Sequence, residues 1–311
     1  MAAETRVITT SQMSKVREVD FVQQFAHGSL QKLLEVLGVT RKIPMQEGTT
    51  LYMYTTSGTL QNGKNVDEGD VIPLSQYQRN KTAVGEMTLG KWRKATTAEA
   101  IMKSGYDEAC AATDAALLRD VQKTVRSAFF GLLNGTITGS TAVSGVGLQA
   151  ALAAAWAQLQ IKFEDDTASA VYFVNPLDVG DYLGAATVTV QEAFGMNYIE
   201  NFLGLGTVIL SSQITQGTFV ATAKENIVLY YLTMGGDIGG KFGLTVDDLG
   251  LIGIKTDIPT EQRAQLETLV MAGIDLFVEY AAGVVKGTIS SSESQTELLP
   301  QRVRDLTGGR R

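Results

Sequence analysis

The sequence predicts an α+β protein whose parts follow one another in a distinctive order. Three patterns support this: an extended polar hairpin, a long helical stripe of apolar residues after it, and then several β-like runs separated by glycine turns. The 311 residues suffice for one large domain or two ordinary ones. With 32 glycines and 5 prolines, the composition favours ordered structure with many tight bends.

Residues 1–45 predict an arm with one short helix. In the stretch SLQKLLEVLG, leucines recur at helical spacing from Leu30 to Leu37, and Gly38 is placed to end the helix. Pro44 then discourages its continuation. Polar stretches surround this helix, so no core is expected within the arm.

Residues 49–95 predict a long β-hairpin. The stretch TTLYMYTT alternates as an outgoing strand and AVGEMTLGKWRKAT as the return strand, with Asn-Gly and Glu-Gly turn signals between them. The outer half carries little apolar surface, and an isolated two-stranded hairpin is marginal in water. We therefore expect this hairpin to pack on another chain, or to stay mobile until it can.

The strongest helix pattern begins at TTAEAI, where Thr96 and Glu99 form a capping box. A weak point at Gly105 follows, and one apolar stripe then continues to Asn134. Because Cys110 lies on this stripe, we predict a buried structural thiol. The stripe consists of Tyr106, Cys110, Leu117, Val121, Val125, Phe129 and Leu132.

The remaining segments predict a mixed α/β region. After a flexible link, GSTAVSGVG, come an alanine-rich helix (GLQAALAAAWAQLQ), a buried strand (SAVYFVNP) and a helix whose first turn contains Pro176. Three β-like runs follow: GTVILSS, GTFVATA and NIVLYYL. Residues 259–273 predict another helix, residues 274–289 a closing strand pair, and the polar end of the chain a tail.

Composition excludes several classes of function. One cysteine excludes an internal disulfide and any multi-Cys metal site, and one histidine, His27, excludes two-His metal sites and most histidine-based catalysis. We interpret His27 as an ordinary surface or interface residue. The acidic groups at 67–70 and 164–166 lack the spacing of a calcium-binding loop. We predict no catalytic residue, cofactor or metal, and hence no enzyme.

A possible phosphate-binding loop lies at Gly235, Gly240 and Lys241, which have the spacing G-x-x-x-x-G-K and follow a β-like run. Phe242 stands where such a loop needs Ser or Thr, and Gly243 follows where a helix should begin. A cluster of glycine turns is therefore the favoured interpretation. A nucleotide-binding enzyme is the less favoured alternative.

The charge distribution gives limited information on partners. The net charge is −7, yet residues 1–95 carry 12 Lys and Arg against 9 Asp and Glu. A mildly basic first third suits contact with the acidic body of a neighbouring copy, and random scatter accounts for it equally well. The N-terminus lacks the apolar core of a signal peptide and no apolar run is long enough to cross a membrane, so we expect synthesis in the cytoplasm.

Two ordered sets of motifs carry a resemblance to a known family. They are VDEGDVIPLSQYQ followed by LGKWRKATTAEAIMKSGYDEA, and then YFVNPLDVGDYLG, NFLGLGTVILSS and GTFVATAKENIVLYY. The first set is similar to the extended loop and spine helix of the major capsid proteins of tailed bacteriophages, which have the Hong Kong 97-type fold. The second resembles the axial-domain core of capsid proteins from phages of Gram-positive bacteria. The similarity spans roughly residues 20–290.

The resemblance implies an α+β fold of six segments. They are an N-terminal arm (1–45), an extended loop lying over a neighbouring subunit (46–95), a peripheral domain with the spine helix (96–172), an axial domain (173–269), closing strands of the peripheral domain (270–290) and a C-terminal tail (291–311).

The resemblance also implies a structural subunit of an icosahedral head shell. Its copies would form pentamers and hexamers, assembled in the host cytoplasm around double-stranded DNA that is enclosed without sequence-specific binding. The implied partners are a separate scaffolding protein and a portal protein, with a decoration protein as an optional further partner and no membrane. An encapsulin, which is a bacterial shell that loads enzymes, is the alternative within the same fold. The candidate intersubunit contacts are Lys64, Arg79, Lys81, Lys91, Arg93, Lys94, Asp237 and Lys241.

Overall fold

A computed structural model describes residues 10–61, 64, 66–67, 69–163, 169–185, 189–257 and 264–290. The chain divides into two compact units. The first comprises residues 1–139, 192–195 and 224–281, and the second comprises residues 140–191, 196–223 and 282–311. The predicted tail and the acidic group at 164–166 lie outside the described residues.

The helices and strands of the described residues are numbered in chain order. The α-helices are α1 (Thr10–Gln23), α2 (Gln31–Leu37), α3 (Ala98–Ser104), α4 (Tyr106–Asn134), α5 (Gly147–Lys162), α6 (Pro176–Ala185) and α7 (Gly236–Phe242). The strands are β1 (Lys42–Met45), β2 (Thr50–Thr59), β3 (Gln76–Glu86), β4 (Gly90–Thr97), β5 (Thr141–Val146), β6 (Ala170–Val174), β7 (Gln191–Ala193), β8 (Met196–Ile199), β9 (Gly206–Leu210), β10 (Thr218–Ala223), β11 (Ile227–Leu232), β12 (Thr245–Val246), β13 (Ile252–Asp257), β14 (Gln265–Ala272), β15 (Ile274–Val278) and β16 (Val284–Ser290).

The first unit contains three sheets and the long helix α4. One sheet has the order β1-β11-β15, a second has the order β12-β13-β14-β4, and β2 pairs with β3 as a separate antiparallel hairpin. Helix α4 buries Cys110, Val121, Val125 and Phe129 on one side, as the apolar stripe predicts. The break predicted at Gly105 is present, because this glycine separates α3 from α4 with a φ of 83°.

The second unit packs helices on a mixed sheet. Six of its strands are hydrogen-bonded in the order β5-β16-β10-β6-β9-β8, in which β5/β16 and β6/β9 are parallel pairs. Every residue of β6 is buried, as predicted for SAVYFVNP. Helix α5 places its alanines on the sheet: Ala151 and Ala155 are fully buried beside Leu152 and Leu159. Small side chains let a helix approach a sheet closely, which explains the alanine-rich composition.

The arm is more structured than the sequence predicts. Helix α1 and a π-helix, Gln24–Leu30, precede the predicted helix α2, which ends at Gly38 as expected. The prediction of only one short helix in the arm is wrong, and apolar residues of the arm are buried against residues outside it. Phe25 and Leu37 are fully buried, and the Phe25 ring lies edge-on to Phe194 at 5.7 Å between centroids. The apolar residues of α1 and the π-helix do not recur at helical spacing, so hydrophobic periodicity does not predict these two helices.

Two predictions about the hairpin and the helix after it need correction. The return strand is Gln76–Glu86, earlier than predicted. The chain bends at fully buried Met87, whose N–H donates to Thr49 O at 2.9 Å, so β4 pairs with β14 instead of β2. The helix cap is Thr97, whose hydroxyl accepts from Ala100 N, and not the predicted Thr96, which is buried within β4.

Three further predictions fail where tertiary pairing overrides local sequence preference. The predicted helix at 259–273 is strand β14 over its described part, since strands pair with it on both sides. The predicted flexible link contains β5, which pairs with β16. The closing strands β15 and β16 belong to different sheets and do not pair with each other.

Candidate interaction surfaces

The hairpin β2/β3 projects from the first unit. All 11 residues of β3 are exposed, as are Ser57, Gly58 and Thr59 at the outer end of β2. At about 3.3 Å per residue, β3 is roughly 35 Å long. A strand with both faces in water buries almost no apolar surface, so the outer hairpin gains little from the fold of its own chain.

Beyond the paired strands lies an apolar surface, which we call the hairpin tip. It consists of Leu60, Val71, Ile72 and Leu74, with exposed fractions of 75%, 92%, 73% and 90%. Exposed apolar residues grouped at one place mark sites of protein contact more often than isolated ones do. The tip is therefore a candidate contact surface, and three of its residues lie in the short apolar run at 71–74.

The inner end of the hairpin is attached to the unit. Leu51 and Met53 are buried, and Tyr54 N donates to Glu279 O at 2.9 Å. The same face of β2 that carries Leu51 and Met53 borders a cavity of about 500 Å³. Asp275 on β15 also lines this cavity, and burial raises the pKa of its carboxyl group. The cavity leaves the apolar packing beneath the hairpin incomplete.

Three of the candidate contact residues lie on the hairpin. Arg79 stacks its guanidinium on the ring of Tyr54, with 3.8 Å from Cζ to the ring centroid, and Lys81 places Nζ 4.5 Å from the centroid of the Tyr52 ring. Arg79 and Lys81 therefore share one face of β3, as residues two apart in a strand must. Lys64 lies on the loop between the strands and is exposed.

Three more candidates lie on β4 and alternate between its two faces. Lys91 and Arg93 are exposed, and Arg93 Nη1 lies 3.5 Å from Glu267 Oε2. Lys94 points to the other face, where its Nζ pairs with Asp114 of α4 and donates to Thr113 Oγ1 at 2.7 Å.

The ion pair of Lys94 is part of a larger network. Asp114 also pairs with Arg17 of α1, so this single carboxylate links the arm, the spine helix and β4. The side chains of Arg17, Lys94 and Asp114 are all largely buried. Lys94, a candidate for contact between subunits, therefore forms an ion pair within its own chain.

The last two candidates lie on α7, and the structure gives the glycine-rich segment a different form from the predicted bend. Gly236, with a φ of 65°, begins a seven-residue helix, and Gly243, with a φ of 63°, follows its last residue. Asp237 lies in the first turn of this helix and Lys241 in its last. This arrangement complements the helix dipole. Lys241 and Asp237 are exposed.

The phosphate-loop interpretation fails on this geometry. In a phosphate loop the backbone N–H groups cradle phosphate and a helix begins at the lysine. Here the helix occupies the loop positions and ends one residue after Lys241. The nearby Asp247 is buried and shapes its own loop, because its carboxylate accepts from the backbone N–H groups of Leu251 at 2.6 Å and Ile252 at 3.0 Å.

The residues that anchor the arm and the hairpin are not among those predicted from the sequence. Buried Glu18 of α1 accepts from Thr245 Oγ1 at 2.7 Å and from Thr256 N, which fixes the arm to β12 and β13. Glu279 anchors the hairpin through Tyr54 and Arg79. These partners are 200 or more residues apart, so no local pattern identifies them.

The described residues offer little to a metal or a membrane. No group of three His, Cys, Asp or Glu side chains in this part of the chain is placed to hold a metal ion. None of the helices described is both long and apolar enough to cross a membrane.

The fold is similar to those of capsid proteins of known structure. The capsid asymmetric unit of cyanophage A-1(L) matches with a TM-score of 0.51 and 10% identity, over 84% of this chain and 93% of that one. The capsid of cyanophage P-SCSP1u matches with a TM-score of 0.50 and 10% identity, over 83% and 88%. The holo-SrpI encapsulin complex from Synechococcus elongatus PCC 7942 gives a TM-score of 0.48 and 9% identity, over 86% and 91%. No protein-family model matches the chain, and no curated protein matches it by sequence.

The two cyanophage likenesses show the fold. The chain has the α+β architecture of the Hong Kong 97-type capsid proteins of tailed phages, and the predicted fold class is confirmed. Identity as low as 10% shows the fold alone.

Proposed function

We propose that this protein is the major capsid subunit of a tailed phage, a structural protein whose copies assemble into an icosahedral shell around double-stranded DNA. One observation carries the proposal: the outer hairpin exposes both of its faces and an apolar tip. Such an element is costly for a monomer to expose and gains burial only against another chain. The capsid fold supplies the neighbour that this hairpin requires.

The six-segment partition given above is part of this proposal. In it, residues 46–95 lie over a neighbouring subunit, residues 96–172 form the peripheral domain, and residues 173–269 point toward the centres of pentamers and hexamers. The candidate contacts Lys64, Lys91, Arg93, Asp237 and Lys241 are exposed, which supports their place at subunit boundaries. The proposed partners are a scaffolding protein and a portal, with a decoration protein as an optional further partner.

The acidic balance of the chain supports an enclosing role over a DNA-gripping one. A net charge of −7 opposes tight association with the phosphate backbone, which needs clustered Lys and Arg. An encapsulin-type shell that loads a protein cargo is distinguished by content: the present proposal expects double-stranded DNA in particles from infected cells, and the alternative expects an enzyme.

A shortened hairpin tests the proposal. Residues 58–77 are replaced by Asn-Gly, so that Ser57 and Gln78, which are paired in the native hairpin, flank a two-residue turn. We expect an unchanged circular dichroism spectrum and thermal midpoint, since most of the removed residues that the structure describes are exposed and none of these is buried, together with loss of shells in sedimentation. The matched control replaces the exposed polar residues Gln76 and Gln78 by Ser and retains assembly. Shells formed by the shortened protein would contradict the proposal, and global unfolding would show that the hairpin belongs to the core.

A further inference from the structure

Arg79 has an environment unlike that of the rest of β3. The strand is exposed along its length, yet the Arg79 guanidinium lies 3.8 Å from the centroid of the Tyr54 ring and 5.6 Å from that of Tyr280. Its Nη2 also lies 3.7 Å from Glu279 Oε1. A planar guanidinium can stack on aromatic rings and pair with a carboxylate at once, which an ammonium group does less well.

The residues that receive Arg79 are themselves fixed. Buried Asn226 holds the backbone of Tyr280 from both sides: its Oδ1 accepts from Tyr280 N at 2.8 Å, and its Nδ2 donates to Tyr280 O at 2.9 Å. Glu279 is held by Arg41, whose Nη1 lies 2.5 Å from Glu279 Oε2. Arg79 therefore contacts a rigid corner and not a mobile loop.

The two faces of the hairpin differ in how they are supported. Strand alternation places Tyr52, Tyr54 and Arg79 on one face, and Leu51 and Met53 on the other. The face with Leu51 and Met53 borders the cavity of about 500 Å³. Because that side is incompletely packed, the contacts on the Arg79 face add to buried Leu51 and Met53 in resisting rotation of the hairpin about its inner end.

We propose that Arg79, stacked between Tyr54 and Tyr280 and paired with Glu279, is a clasp that fixes the direction in which the hairpin leaves its own subunit. Arg79 is then a positioning residue that acts within one chain, whereas the sequence places it among the contacts between chains. The clasp goes beyond the proposed function. It rests on that function in one respect: the direction of the hairpin decides whether the hairpin can contact a neighbouring subunit.

The length of the hairpin makes its direction matter. With strands roughly 35 Å long, a change of 20° at the inner end moves the outer end by about 12 Å. A displacement of that size is larger than the spacing between adjacent strands of a sheet, so a loosened clasp presents the tip in the wrong place.

The experiment measures hairpin direction in the unassembled subunit. Spin labels are attached to Gln78→Cys on the hairpin and Lys123→Cys on α4, both exposed, and their distance distribution is recorded by pulsed electron paramagnetic resonance. Cys110 is buried, and labelling the protein without the two added cysteines measures any label that Cys110 takes up. We expect one narrow distribution in the otherwise native protein and at least a twofold broader one in Arg79→Gln.

Three further variants separate the clasp from general damage. Glu279→Gln removes the ion pair without changing shape and should also broaden the distribution. Arg79→Lys keeps the charge but loses planar stacking and should give an intermediate width. Lys81→Gln is the matched control, since Lys81 lies on the same face over Tyr52, and it should leave the distribution narrow.

The outcomes are distinct from those of the shell proposal. A distribution in Arg79→Gln as narrow as that of the native hairpin overturns the clasp, whether or not shells form. Should Arg79→Gln fail to fold, Arg79→Lys and Glu279→Gln decide instead, and two narrow distributions overturn it. Failure of the native protein to assemble contradicts the proposed function and leaves the distance measurement, which uses single subunits, unaffected.

Discussion

Asp275 shows how one residue can work against the stability of its own fold. Its carboxyl group lines the cavity beneath the hairpin, where burial raises its pKa above the ordinary value of an aspartate. In the pH interval between the unfolded and the folded pKa, the folded protein binds more protons than the unfolded chain. Stability therefore falls as the pH rises through this interval, and the cost of the buried charge is fully present above it.

We accordingly expect Asp275→Asn to raise the free energy of unfolding at pH 7. The advantage over the native protein should shrink as the pH falls toward 4, because the native carboxyl group is then increasingly neutral. Urea denaturation at the two pH values measures it. Glu47→Gln, at an exposed carboxylate, serves as the control and should show no such trend. A less stable Asp275→Asn at pH 7 would mean that the charge makes a stabilising contact.

Local residue patterns predict the burial of some side chains but do not predict the long-range contacts of others. The place of Cys110 on a helical stripe predicts its burial, which is confirmed, because burial on a helix repeats at a fixed spacing. The partners of Arg79 are different: Glu279 is far away in sequence and is brought near only by the pairing of β11 with β15 and by the turn that follows. Contacts of this kind are a product of the whole fold.

At the scale of elements, the break between α3 and α4 is a feature that one glycine encodes. Gly105 has φ 83° and ψ 152°, a conformation open almost only to glycine. Both the weak point and the end of the helix near Asn134 follow from the sequence. The strand β14 does not, because residues with good helix propensity are held extended by strands on both sides.

Gly105, between α3 and α4, and Gly131, inside α4, give a matched pair of substitutions. Gly105→Ala should destabilise the protein by about 1–3 kcal/mol through backbone strain. Gly131 lies inside α4 and an added Cβ there meets nothing within 4 Å, so Gly131→Ala should stabilise by about 0.5–1 kcal/mol. Chemical denaturation of both variants checks the signs. Equal effects of the two changes would show that the break at Gly105 carries no conformational constraint.

For the molecule as a whole, the order of parts made the fold predictable, although many element boundaries were not. Arm, hairpin, long helix and mixed α/β region occur in sequence as the structure has them. What the chain cannot specify by itself is a partner for the hairpin tip. The tip residues are exposed in the single subunit: Leu60, Val71, Ile72 and Leu74. Under the shell proposal, a neighbouring subunit would cover them.

The most direct measurement of the central claim is electron microscopy of the full-length protein, purified alone and after co-expression with a scaffolding protein. The shell proposal predicts closed particles of uniform size, tens of nanometres wide, under at least one of these conditions. Only monodisperse small species under all of them would contradict it.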